Sequence, residues 1–344
     1  MAFWLCWAPA ILAAAALTSA LLIIVFRPLL EHYAMAQPNA RSSHKVPTPQ
    51  GGGIAVILAT IGISYLAFCF LPTRAGGPLQ FPIITAAVGL IAAVGVLADI
   101  HPENIWSRLL LQTLAVAAVV LVLPPGLRVL PLLPVIAERI ALVIGGLWFV
   151  NLVNFMDGLD LMTVAETVPI TAALAVLGFF GFLPPVAVAV SLALCGALIG
   201  FSYFNRPIAK LFLGDVGSLP IGLLLGWLFV LIAGNGARAA AILLPLYYLA
   251  DSTVTLIRRA YNGERVWQAH RSHFYQRATD CGLSVGDVVR RVFVVNLGLC
   301  LLALATVVVP GMFITPVALI GGTALVAALI VTFVRGKRNE FASS

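Results

Sequence analysis

Charge is what this chain has least of. Only 10% of its 344 residues are Asp, Glu, Lys or Arg, where a soluble domain carries about 25%. That scarcity excludes an ordinary soluble enzyme and a disordered chain. Cysteine is scarce as well. Cys6, Cys69, Cys195, Cys281 and Cys300 form no C-x-x-C pair, and most of them sit in apolar runs. They read as buried small hydrophobes, which excludes a disulfide scaffold. No G-K-[ST] follows the triple glycine Gly51 to Gly53, so that loop is not a P-loop. No basic residue precedes the first apolar run, and the run is too long for a cleaved signal peptide. Neither an internal repeat nor a low-complexity segment is present.

What the chain has is apolar sequence: 61% of it is hydrophobic and the mean hydropathy is +1.06. The runs are continuous and helix-length, not alternating over ~10 residues, which predicts a helical bundle and not a barrel. A helix needs about 20 apolar residues to cross the hydrocarbon. Eleven spans are therefore expected, at roughly 8–27, 53–71, 82–98, 107–123, 139–156, 162–180, 184–204, 217–234, 238–257, 287–308 and 313–334. The fold class is an all-α polytopic membrane protein, with residues 1–344 forming one transmembrane domain. Its loops on one side fall at about 27–52, 99–107, 151–161, 205–216 and 258–286.

The 20 Lys and Arg residues sort almost entirely to that side; only Arg74, Arg128, Arg139 and Arg238 fall on the other. The positive-inside rule makes the crowded side cytoplasmic, with the N-terminus outside and the C-terminus inside. The net charge of +7 is thus read as topology, and no nucleic-acid partner is expected. Every acidic residue except Glu138, and all five histidines, also sort to the cytoplasmic side or half. Acidic residues contribute little to orientation, so this asymmetry points to a concentrated chemical face there.

Five polar clusters lie on that face. In the first, Asn151, Asn154 and Asp157 are spaced by three, and Gly158 and Asp160 follow. On a helix end they share a face of oxygen ligands for a cation or for sugar hydroxyls. In the second, Asp215 stands between Gly214 and Gly217 at the start of a span. Glycines admit close backbone approach, free N–H groups at a helix start attract phosphate, and a carboxylate suits Mg²⁺. The third is a basic loop, Arg41 to Gly53, that includes His44 and Lys45 and suits an anion. The fourth holds His270, Arg271 and His273, where Arg between two His fits diphosphate recognition better than a metal. The fifth is Asp99, His101 and Glu103 with Arg108 beyond, for which a solvated helix end is an adequate reading. Asp251 and Glu166 are intramembrane acids, functional or structurally paired.

Taken together and in order, these clusters resemble the polyprenyl-phosphate N-acetylhexosamine-1-phosphate transferases, glycosyltransferase family 4. The closest similarity is to the bacterial branch that starts O-antigen-type glycans. The matching motifs span about residues 27–291. The resemblance implies transfer of a sugar 1-phosphate from a UDP-N-acetyl sugar to undecaprenyl phosphate, with release of UMP. It implies a bacterial inner membrane, an active site facing the cytoplasm and contact with the lipid bilayer, and a homodimer is compatible with it. Mg²⁺, with Mn²⁺ as a substitute, is expected on Asp215 with Asn154 in support. Asp99, Asp157 and Asp215 are the expected catalytic residues. Asn151, Asp160, Lys45, His270, Arg271, His273, Gly214 and Gly217 are the expected substrate contacts.

Three positions depart from the family pattern. Ala98 replaces the first of two adjacent aspartates, Leu161 stands where glycine is usual, and Gln50 stands where this branch often has Arg. Three other readings compete. One is the peptidoglycan branch that transfers phospho-MurNAc-pentapeptide, whose corresponding loop is richer in His. Another is a degraded copy acting as a scaffold. The last is a transporter, which should place its ionisable residues near the midplane.

Overall fold

A computed structural model of the chain describes residues 2–36, 46–70, 79–100, 104–265, 270–309 and 311–336. Lys45, His44, His101 and Glu103 lie outside the described residues. Thirteen helices run along the described chain: α1 (Ala2–Tyr33), α2 (Gly53–Phe70), α3 (Gln80–Ile100), α4 (Ile105–Leu121), α5 (Val135–Met156), α6 (Met162–Phe179), α7 (Pro185–Ser202), α8 (Asp215–Gly234), α9 (Arg238–Leu243), α10 (Leu246–Tyr261), α11 (Phe274–Asp280), α12 (Val285–Val308) and α13 (Ile314–Arg335). The strands among the described residues form a two-residue antiparallel ribbon, in which Met35 faces Pro49 and Ala36 faces Thr48.

The chain is a polytopic helical membrane protein. Nine of the described helices are long and apolar enough to cross a bilayer, and the 17-residue α4 is a shorter apolar one. Helices are the natural solution in lipid, because each satisfies its own backbone polar groups. Their outward faces are apolar: Leu17, Leu21 and Ile24 on α1, Leu110 and Leu114 on α4, and Ile140 and Ile144 on α5 are all exposed.

One expected span differs. Residues 238–257 do not form a single helix. They divide into α9 and α10 at Leu244 and Pro245. Proline lacks the N–H that would bond four residues back, and its ring crowds that carbonyl, so the apolar run breaks there. The second piece runs on to Tyr261 and carries buried Asp251, Ser252 and Thr255.

The interior is organised around α7 and α8. Helix α8 packs on α3, α5 and α2, and α7 packs on α1, α2 and α6. Small residues bring the helices close to α8. A Cβ on Gly53 would collide with the Gly217 backbone, and one on Gly95 with the backbone of Asp215 and Val216. These approaches hold the ends of α2 and α3 against the first turn of α8.

Candidate active site

Four helix ends meet at one end of the bundle: the last turns of α3 and α5 and the first turns of α4 and α8. Because Gly95 lies on the start of α8, Asp99, one turn further along α3, reaches the free N–H groups there. Its carboxylate accepts from Asp215 N (2.9 Å) and Val216 N (3.2 Å). A carboxylate at a helix N-terminus satisfies two orphan donors and opposes the helix dipole. Gly214 completes the turn at φ 77°, and a Cβ there would press on Asp99 Oδ2 at 2.5 Å. Only glycine meets both conditions. Gln50 Nε2 donates to the Asp99 carbonyl (2.6 Å) and ties in the loop before α2.

Asp215 is held from two sides. Asn154 Nδ2, from the last turn of α5, donates to Asp215 Oδ1 (2.7 Å) and to Ser218 Oγ (2.9 Å). Arg108, in the first turn of α4, pairs through Nη1 with Asp215 Oδ2 (2.8 Å). Its Nη2 donates to Asn154 Oδ1 (3.0 Å). The amide orientation of Asn154 follows from its neighbours, a carboxylate that only accepts and a guanidinium that only donates.

Asp157 caps the end of α5 and takes the Thr163 hydroxyl. Burial, with the nearby charges of Asp215, Asp99 and Asp160, pushes its carboxyl up to about 8, against the Thr163 hydrogen bond. Asp160 accepts from Ala209 N (3.1 Å). Between Asp160 and α6 the backbone passes through Leu161 at φ 63°, the left-handed conformation that suits glycine. Leu161 N donates to Asn205 Oδ1 (2.6 Å), and Asn205 Nδ2 reaches Leu211 O (2.9 Å). Asn205 thereby staples the hinge to the loop before α8.

Asp99, Asn154, Asp157, Asp160, Gly214 and Asp215 line one cavity of about 490 Å³. Its size suits a small polar headgroup or part of a nucleotide. Four carboxylates from three separated stretches of sequence share this space.

Other expected residues lie elsewhere. Asn151 sits one turn deeper on α5, where its Nδ2 donates to Gln112 Oε1 (2.8 Å) and Leu147 O (2.9 Å), clamping α5 to α4. Gly217 faces Gly53 and serves helix packing. His273 is 2% exposed and shares a hydrogen bond with Asp251 Oδ1 (3.2 Å). The same Asp251 accepts from Phe274 N (3.0 Å) and Tyr275 N (3.2 Å), so an acid from α10 caps α11. That capping buries His273 in the anchor of the loop. From α11, Tyr275 Oη donates to Phe155 O (3.0 Å) and covers Gly158, which braces the hinge that carries Asp157. His270 stacks on His273 with ring centroids 4.7 Å apart. Burial, and the charges of His273 and Arg259, lower its imidazole to about 4, so it is neutral near pH 7. Arg271 is partly exposed, pairs with Asp280 (3.0 Å), and keeps a buried Nε–H with no partner among the described residues. His270, Arg271 and His273 do not line the cavity; Gln276 of the same segment does.

Among the described residues, no three His, Cys, Asp or Glu side chains gather as a metal cage. The donors that do converge are hard oxygens, from Asp215, Asn154 and Asp157. Asp215 and Asn154 fit Mg²⁺, which is usually held by one or two carboxylates together with water and substrate phosphates.

From sequence, Arg108 sits in a cluster for which a solvated helix end is an adequate reading, and Ser218, Asn205 and Tyr275 are not singled out. Arg108 carried one usable signal: it falls in the first turn of an apolar span, where an unpaired cation is costly.

The sequence profile of glycosyl transferase family 4 matches residues 81–233. The chain is 30% identical over 343 residues to decaprenyl-phosphate N-acetylglucosaminephosphotransferase of Mycolicibacterium smegmatis, across 88% of this chain and 81% of the relative. The Mycobacterium tuberculosis protein of that name is 31% identical over 74% of this chain and 71% of its own. A protein of Bacillus subtilis named probable undecaprenyl-phosphate N-acetylglucosaminyl 1-phosphate transferase is 26% identical, over 78% of this chain and 77% of its own.

Proposed function

Because the chain belongs to glycosyl transferase family 4, we propose that it moves N-acetylglucosamine 1-phosphate, or a closely related N-acetylhexosamine 1-phosphate, from a UDP-sugar to undecaprenyl phosphate. The product would start a lipid-linked surface glycan of the O-antigen type. The observation that carries this reading is the convergence of Asp99, Asn154, Asp157, Asp160 and Asp215 in one cavity at one end of the bundle. The names of the relatives, all polyprenyl-phosphate sugar-phosphate transferases, support the substrate class.

In the proposed reaction an acceptor phosphate oxygen attacks the β-phosphorus of the donor. The bond from that phosphorus to the bridging oxygen breaks, and UMP leaves with the electron pair. Undecaprenyl-diphosphate-sugar stays in the membrane. Such a transfer needs positioning and charge neutralisation more than covalent help. Mg²⁺ held by Asp215 and Asn154, with Mn²⁺ as a substitute, would supply that neutralisation. Asn154 orients Asp215 through its Oδ1. Asp99 keeps the α8 terminus in register with Gly214. Asp157 holds a proton near neutral pH, which reduces the negative charge that two arriving phosphates meet. Arg271, partly exposed and charged, is the proposed contact for a donor-phosphate oxygen.

An apolar furrow of about 220 Å³ between α4, α5, α8 and α10 is the proposed seat of the polyprenyl chain. Gly145 and Gly146 leave room along it. Arg108, Arg206, Lys210, Arg258 and Arg259 belong to the site end, so the positive-inside rule supports a cytoplasmic cavity, an outer N-terminus and an inner C-terminus. In a bacterium the membrane would be the inner one.

The test is transfer in membranes expressing the chain, given undecaprenyl phosphate, Mg²⁺ and a panel of labelled UDP-N-acetyl sugars. Label should enter the lipid phase for one donor, and be lost with EDTA and in Asp215→Asn. No label with any donor, from folded protein, would shift the reading to a scaffold and make Ala98→Asp the next variant.

A further inference from the structure

We propose that the Arg108 guanidinium and a divalent cation are alternative occupants of the same two oxygens, Asp215 Oδ2 and Asn154 Oδ1, so that the metal enters by displacing the arginine. This inference rests on the metal site proposed above and goes beyond it, because it makes metal uptake an exchange.

The geometry is specific. One guanidinium spans both atoms, Nη1 at 2.8 Å from Asp215 Oδ2 and Nη2 at 3.0 Å from Asn154 Oδ1. The remaining side-chain atoms of the two residues face each other and Ser218: Asn154 Nδ2 donates to Asp215 Oδ1 and to Ser218 Oγ. Asn154 cannot flip to offer another oxygen, since its nitrogen would then meet the guanidinium. The outward oxygens of the pair are therefore the ones Arg108 covers. Mg²⁺ requires its oxygen ligands at about 2.0–2.1 Å. A dication at that distance and a hydrogen-bonded guanidinium on the same oxygen would repel as like charges. Occupancy is exclusive on that ground.

The arginine is also free to leave. Its side chain is 22% exposed and that of Asp215 is 27% exposed, at the mouth of the bundle and not in its interior. While it stays, it offsets negative charge in a cavity lined by four acidic side chains. An opposite charge within ~4–6 Å shifts a carboxylate's proton affinity by about 1–3 pK units, some 10- to 1000-fold. A competing dication meets the same opposition, and partial exposure favours the lower end of that range. The expected effect of removing the guanidinium is thus about tenfold tighter metal binding. Loss of a mere packing or positioning residue would act in the opposite direction.

The experiment measures Mn²⁺ binding by electron paramagnetic resonance on the full chain in lipid nanodiscs, without nucleotide or acceptor lipid. Wild type, Arg108→Gln, Arg108→Met and Asp215→Asn are compared, each checked for folding by its thermal transition. Arg108→Met keeps an apolar stem on α4 and carries the test if the Gln variant fails to fold. The exchange predicts that the Arg108 variants bind Mn²⁺ about tenfold more tightly than wild type, and that Asp215→Asn loses the bound signal. Equal or weaker binding in the Arg108 variants, still dependent on Asp215, overturns the exchange and leaves the metal site standing. No Asp215-dependent binding in any protein removes the metal site, and the exchange with it.

Discussion

Of the acids that pair with an arginine, Glu138 and Asp215 do different work. Glu138, at the end of the bundle away from the cavity, is 1% exposed. It accepts from Val129 N, Leu130 N and Arg128, so its oxygens are taken up within the chain. Asp215, at the cavity end, is 27% exposed and lines open space. Its partners, Arg108 and Asn154, are side chains that can move, whereas two of Glu138's three partners are backbone groups. An acid whose bonds close internally locks a hairpin. An acid held by side chains beside a cavity is placed to exchange partners with a ligand.

The largest effect separates the two. Asp215→Asn should lower transfer by about 10³-fold, the scale for losing a main electrostatic contributor, with little change in thermal transition. Glu138→Gln should do the reverse: a transition lower by a few degrees, from an Arg128 left partly unpaired, and normal transfer per folded molecule. If Glu138→Gln abolished transfer in folded protein, the contrast would be broken.

A third acid, Asp251, sharpens the contrast within the membrane. Asp251 caps α11, and α11 braces the Asp157 hinge through Tyr275. Asp251→Ala should lower both transfer and stability, and Tyr275→Phe should reproduce a milder loss of transfer with stability nearly intact. A Tyr275→Phe protein with wild-type kinetics would detach α11 from the site.

A smaller effect concerns the furrow. Among the described residues, nothing beyond the chain neighbours and the helix's own backbone lies within 4 Å of where a Gly145 Cβ would be. Gly145→Leu should therefore fold, raise KM for the polyprenyl acceptor several-fold, and leave KM for the UDP-sugar unchanged. Equal changes in both constants would move the lipid chain elsewhere.

The smallest effects are in stability. Leu161 holds a left-handed backbone that costs a residue with a Cβ about 1–2 kcal/mol. Leu161→Gly relieves that and loses some packing, so it should leave the transition nearly unchanged, while Leu161→Val should lower it. Asp157 has a folded-state pKa near 8, well above that of an unfolded Asp. Its contribution is present at acid pH and lost as pH rises through 8. In EDTA the transition should fall as pH rises from about 4 to about 8 and level off above that, and Asp157→Asn should flatten that slope.

Much of this site was legible because polar residues stand out in apolar sequence. Asn154, Asp157, Asp160 and Asp215 were identifiable from spacing and glycine neighbours, and they do share a cavity. Arg108 was not, since its partners are 46 and 107 residues away and come from other helices. Its meaning depends on α4 returning to the start of α8. Asn151 and His273 fit a ligand by residue type, yet the fold spends them on Gln112 and Asp251. The break at Pro245 was masked because residues on both sides of it are apolar. Sequence shows which groups are expensive to bury; packing decides which of them are satisfied internally and which face a cavity.

The central claim is that phosphate travels with the sugar. It is tested most directly with UDP-N-acetylglucosamine labelled at the β-phosphorus, given to nanodisc-embedded protein with undecaprenyl phosphate and Mg²⁺. The label should move into the lipid phase in step with the sugar, leaving unlabelled UMP in water. Sugar entering the lipid while the label stays behind in UDP would contradict it.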